Sequence, residues 1–133
     1  MDDIINKALH EFSFHLAKTE IEIFKERKRW RSECSLTNYF QSTPEKAVFS
    51  RLMYIAAVLK QGCSVSEMAK ELSISRQTIS NLCNETVSAG WVLCEKKDKR
   101  KYYYASKELC ASIVNYADYS SDMFQKTMVH EAE

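Results

Sequence analysis

A mainly α-helical fold with a single small β-hairpin is predicted by three observations. Two glycines and one proline among 133 residues leave long stretches free of helix breakers. Apolar residues recur at helical spacing through most of the chain. Between residues 91 and 104 the pattern changes to two short β-forming runs on either side of a charged tip. In order, the chain reads as helices, two short helices around a tight turn, a hairpin and a last helix. That is a winged helix-turn-helix with long helices at its N- and C-terminal ends.

The apolar set makes up 45% of the residues, enough for one domain over residues 1–133 with a core of its own. Within it, about 45–105 form the winged helix, and about 1–31 and 106–129 the flanking helices. The net charge is +1, so affinity for a polyanion has to come from local clustering. No run is long enough to span a bilayer. The opening MDDIINK lacks the basic-then-apolar order of a secretory signal. A cytoplasmic protein with no membrane partner is expected.

The first helix begins at Asp2 or Asp3 and runs to about Arg31. Ile5, Leu9, Phe12, Leu16, Ile23 and Trp30 keep a heptad-like spacing, widened by Ile4, Ala8 and Phe24. A helix of about 28 residues is about 42 Å long, more than the core behind one helix-turn-helix can cover. A second copy of the chain is the expected cover, which makes the flanking helices a homodimer frame. The basic run Lys25 to Arg31 reads as a solvated helix end favoured by the C-terminal dipole, with a phosphate contact as the alternative. Ser32 to Ser42 is a connector or short helix carrying Leu36, Tyr39 and Phe40. Thr43, Pro44 and Glu45 are a cap, a first-position proline and a first-turn acid. The helix they start should reach about Gln61, bury Val48, Phe49, Leu52, Ile55, Ala56 and Leu59, and end at Gly62.

Ser64 and Glu67 then form a capping box. Val65, Met68, Ala69 and Leu72 share one face, Ser73 and Ile74 make the turn, and Ser75 caps the next helix. There Ile79, Leu82, Cys83 and Thr86 point inward, and Gly90 suits the left-handed position beyond the end. Ser75, Arg76, Gln77, Thr78, Ser80, Asn81 and Asn84 are left at the tip or on the outside. A helix in the major groove uses such groups: Arg pairs with guanine, Asn or Gln with adenine, and a Thr methyl touches thymine. No acid occurs from Ser75 to Asn84, as a surface facing phosphate requires. Taken singly, Ser80 or Asn84 is better explained by an ordinary polar helix face.

Trp91 to Cys94 and Lys101 to Tyr104 are the two strands of the hairpin. Its tip sets Lys96, Lys97, Lys99, Arg100 and Lys101 against Glu95 and Asp98. A basic finger of this kind suits phosphates or a minor groove, although charge runs are also ordinary loop tips.

Ser64 to Tyr104 resembles the DNA-binding half of the MarR family of bacterial transcriptional regulators. The matching segments are Ser64 to Leu72, Ile74 to Ser80, Ala89 to Val92, and Asp98 to Arg100, the last like the family's D-x-R wing signature. The resemblance implies a homodimeric regulator of double-stranded DNA, a repressor on a pseudo-palindromic operator. It makes Arg100 the minor-groove arginine, with Asp98 holding it or a neighbour by a charged hydrogen bond. It also implies release by an oxidant or by a small amphipathic ligand near Phe12, Trp30, Tyr39, Phe40 and Tyr54, although such aromatics are more often plain core. The alternative function is a winged-helix module that binds another protein and no DNA.

The five cysteines, Cys34, Cys63, Cys83, Cys94 and Cys110, include no C-x-x-C pair, so neither a disulfide framework nor a zinc site is expected. Cys83, Cys94 and Cys110 read as small buried hydrophobes, while Cys34 and Cys63 lie near helix ends. A thiol switch is the alternative that the resemblance raises. His10, His15 and His130 are scattered and nothing forms a catalytic constellation, so no cofactor, metal or enzymatic activity is expected.

Overall fold

The structure, a computed structural model, describes residues 2–132, with side chains as far as Met128. His130 therefore lies outside the described side chains. In chain order the elements are α1 (Asp2–Glu33), α2 (Ser35–Phe40), α3 (Pro44–Val58), α4 (Val65–Leu72), α5 (Arg76–Ser88), β1 (Val92–Lys97), β2 (Arg100–Ala105) and α6 (Lys107–Ala132). This is the mainly helical winged helix-turn-helix that the sequence predicts. The chain forms two compact units: residues 1–33 with 115–133, and residues 34–114.

The second unit holds the main core. Phe49 and Met53 of α3, Met68 of α4, Ile79 of α5, Val92 of β1 and Leu109 of α6 are essentially inaccessible to solvent, and Leu36 and Phe40 of α2 join them. One expectation fails here. α3 buries Phe49, Ser50, Met53 and Ala56, whereas Val48, Ile55 and Leu59 are 43%, 50% and 66% exposed. The helix is apolar on nearly every side, so two stripes one residue apart compete and periodicity alone cannot choose between them.

The helix ends explain the turns. After α5, the Trp91 amide donates to the Thr86 carbonyl and the Gly90 amide to the Val87 carbonyl, both at 3.0 Å. This is a Schellman closure, with Gly90 left-handed at φ +82°. α3 closes in the same way, three residues earlier than expected. The Gln61 amide donates to Ala56 and the Lys60 amide to Ala57, with Lys60 at φ 55°. The helix-turn-helix turn repeats the theme, with Ile74 donating to Ala69 and Ser73 at φ 53°. Two of the three left-handed positions therefore carry a side chain that disfavours them. Lys60→Gly and Ser73→Gly should each raise stability by roughly 1 kcal/mol, read as a higher urea midpoint with an unchanged slope.

Gly62 is not the helix cap. A Cβ there would lie 2.8 Å from the Tyr102 Cβ and 3.3 Å from strand backbone atoms. The bare backbone lets residue 63 pair with the hairpin: Cys63 and Tyr103 exchange amide–carbonyl bonds of 2.9 and 2.8 Å. This extra bridge fastens the hairpin to the segment before α4.

The first unit pairs α1 with the part of α6 that follows residue 114. Phe12 meets Phe124 at 5.6 Å, Trp30 meets Tyr119 at 5.0 Å, and an Arg27 nitrogen donates to the Tyr116 hydroxyl at 2.5 Å. Of the apolar stripe expected along α1, Ile23 is buried; Ile4, Ile5, Leu9, Phe12, Leu16 and Phe24 remain exposed. In the basic run, Lys25 pairs with Glu22 at 3.3 Å and Arg29 with Glu26 at 2.5 Å, so part of its charge is neutralised within the helix. No helix among the described residues is long and apolar enough to cross a membrane.

Candidate nucleic-acid interface

The tip of α5 is built by its cap. The Ser75 hydroxyl oxygen accepts the Thr78 amide at 3.1 Å and donates to the Thr78 hydroxyl at 2.9 Å. Ile79, Leu82, Cys83 and Thr86 anchor the inner face in the core. That leaves Ser75, Arg76, Gln77, Thr78, Asn81 and Asn84 exposed, with Ser80 half-buried. The Gln77 amide nitrogen donates to the Asn81 carbonyl at 3.1 Å. The two amides thus act as a pair one turn apart, and Asn81 keeps its own amide nitrogen as a donor.

The wing differs from its predicted outline. The strands reach Lys97 and begin again at Arg100, so the tip is a two-residue turn of Asp98 and Lys99 rather than a six-residue loop. Both turn residues have positive φ, 51° and 67°, as a primed hairpin turn requires. Among the described residues no ion pair or side-chain hydrogen bond joins Asp98 to Arg100. Asp98 instead occupies a left-handed turn position that Asp tolerates well.

Register places like charges opposite one another, Lys96 against Lys101 and Lys97 against Arg100. Strand alternation puts the first pair on the side of Val92, Tyr103 and Ala105, which are buried, and the second on the opposite side. The ribbon therefore carries cations on both faces. Directly opposed like charges destabilise a hairpin, and a neighbouring polyanion offsets that cost.

A shallow cleft gathers part of both predicted sets. Ser80 and Asn84 of α5 line it together with Arg100, Lys101 and Tyr103 of the wing. Ser64 and Ser66 at the start of α4 complete the wall. These two were missed as site residues because Ser64 already had a role, accepting the Glu67 amide at 3.2 Å in the capping box. Arg76, Gln77 and Thr78 lie outside the cleft, at the tip of α5.

The thiols separate by environment. Burial pushes the Cys83 thiol up to about 12, so it stays protonated and unreactive. Cys34 is exposed, and hydrogen bonding from Thr37 lowers its pKa. Cys94, expected in the core, is exposed on the hairpin because β1 buries only Val92.

Residues 48–101 match the sequence model of the MarR family. Over these residues the chain is similar to the MarR family. Solved structures carry the same fold beyond that segment. Staphylococcus aureus MepR in complex with DNA is 14% identical, with a TM-score of 0.60 over 84% of this chain and 90% of that one. MepR crystallised as a transcription regulator of the multidrug efflux pump MepA is 20% identical, with a TM-score of 0.56 over 83% and 78%. The transcriptional regulator Tm0710 of Thermotoga maritima is 14% identical, with a TM-score of 0.63 over 98% of this chain and 82% of that one. No curated protein sequence matches the chain significantly. In the MarR-type winged helix, α4 and α5 are the helix-turn-helix and β1–β2 the wing.

Proposed function

We propose that this chain is a homodimeric, sequence-specific regulator of transcription that binds double-stranded DNA and represses from a pseudo-palindromic operator. One observation carries the reading. The outward face of α5 from Arg76 to Asn84 is polar, exposed and free of acids, beside a wing whose cations oppose one another in register. α5 supplies base-edge chemistry and the wing supplies phosphate or minor-groove contacts. MepR, which shares the fold, has been crystallised on DNA. Action on DNA implies a cytoplasmic protein.

The dimer follows from α1. Six apolar side chains between Ile4 and Phe24 that continue its heptad stripe stay exposed in the single chain, an apolar surface that soluble monomers seldom leave open. A second copy with its own α1 and α6 is the natural cover. Twofold symmetry would then set two α5 helices on half-sites roughly 34–36 Å apart. Release by a small molecule belongs to the same proposal. Structures of MepR with ethidium and of the Streptococcus agalactiae heme sensor PefR with heme share the fold.

Titration of a labelled duplex across salt concentrations tests the reading. The parent should bind with steep salt dependence and a preferred sequence. Arg100→Ala should bind more weakly, with a salt slope smaller by about one unit. A parent whose affinity ignores both salt and sequence would favour the protein-binding module instead.

A further inference from the structure

The outward row of α5 continues past the acid-free segment. Gln77 and Asn81 are one turn apart and hydrogen-bonded, and the next position in that row is Glu85. Its exposed carboxylate is the first acid on the helix. Left in line, it would face the phosphates of any duplex that the row reads.

The structure ties it down. The Tyr39 hydroxyl, reaching from α2, donates to a Glu85 carboxylate oxygen at 2.5 Å. The Tyr39 ring is itself fixed. It packs against Phe40 at 5.0 Å and Trp91 at 5.4 Å, and the Lys46 ammonium lies 4.3 Å from its centroid. Trp91 is the residue whose amide closes the end of α5 on Thr86. Tyr39 therefore meets the far end of the reading helix at two points, one polar and one aromatic. Burial, then the carboxylate, push the phenol's pKa up, so the hydroxyl stays a donor across the physiological range.

We propose that Tyr39 is a positioning residue of the DNA-reading surface, holding the Glu85 carboxylate out of the row that α5 turns toward a duplex. The inference rests on the DNA-binding reading above and adds to it a residue from outside the helix-turn-helix. Without the hydroxyl, the carboxylate regains its rotamers and its repulsion of phosphate.

Three variants decide it: Tyr39→Phe, Glu85→Gln and the double variant, each titrated with the same labelled duplex at low and moderate salt. Tyr39→Phe keeps the aromatic packing and should weaken binding roughly three- to tenfold. The loss should be larger at low salt, where repulsion is least screened. The double variant should return to the parent affinity, because the amide that replaces the carboxylate carries no charge to restrain. A purely structural hydroxyl would give a lower melting temperature and a double variant as weak as Tyr39→Phe, which overturns the proposal. So does a Tyr39→Phe variant that binds like a binding parent. A parent that binds no duplex at any salt overturns the functional reading, and this one with it.

Discussion

Gly62→Ala is expected to destabilise the winged helix by roughly 2–3 kcal/mol, the upper part of the usual cost of overpacking. The added methyl would sit 2.8 Å from the Tyr102 Cβ and 3.3 Å from the Tyr102 carbonyl carbon and the Tyr103 nitrogen. None of these is the loose end of a side chain. Relief requires strand β2 to move, and β2 is held there by the Cys63–Tyr103 amide pair at 2.9 and 2.8 Å. The same strand carries Arg100 and Lys101, so its displacement would also misplace the wing. Gly90→Ala is the contrasting control. Nothing lies within 4 Å of its added methyl, and only the φ of +82° is unfavourable, so its cost should be nearer 1 kcal/mol. Urea unfolding of the two variants separates a steric glycine from a conformational one. Equal midpoints would mean that the chain does not approach β2 as closely as the structure shows. Against a typical domain stability of about 5–15 kcal/mol, the Gly62 variant should remain folded in the cold, where its duplex affinity can be read separately.

The helix-turn-helix was legible because its signals are local. The Ser64–Glu67 box, the Ser75 cap and the inward set of Ile79, Leu82, Cys83 and Thr86 are each fixed within one or two turns of chain. Where several answers satisfy the same local rule, the sequence is mute. α3 is apolar on almost every side, so the face with Met53 and the face with Ile55 look equally good until the rest of the core is present. The two β-forming runs reveal the hairpin but make its tip look too long, because a Lys at a left-handed turn position breaks the usual preference for Gly. Gly62 shows the reverse error. Its place after a helix suggested a cap, whereas the reason for a glycine lies forty residues away at Tyr102. The Tyr39–Glu85 bond joins positions 46 apart, and no periodicity or motif announces such a pair.

The remaining large effect is on sequence choice. Arg76→Ala and Asn81→Ala should each cost on the order of 1–3 kcal/mol of base discrimination, about five- to 150-fold in the affinity ratio between the preferred duplex and one altered at a single base pair. Arg76 sits at the exposed start of α5, where a helix in the major groove meets base edges first, and its planar fork fits the two acceptors of guanine. Asn81 lies one turn on from Gln77, and the 3.1 Å bond between them makes each amide the other's support. Asn81→Ala therefore removes a contact and also unmoors Gln77. For that reason the Gln77→Ala and Asn81→Ala losses should not add: the double variant should lose less than the sum of the two. The signature distinguishes these residues from the wing. Alanine at Arg76 or Asn81 should flatten the preference at particular base pairs while leaving non-specific binding and its salt slope in place. Alanine at Arg100 should lower affinity for every sequence and reduce the slope. If the Asn81 variant instead weakens binding equally on all duplexes, the outward face of α5 touches only backbone, and sequence must be read elsewhere on the chain.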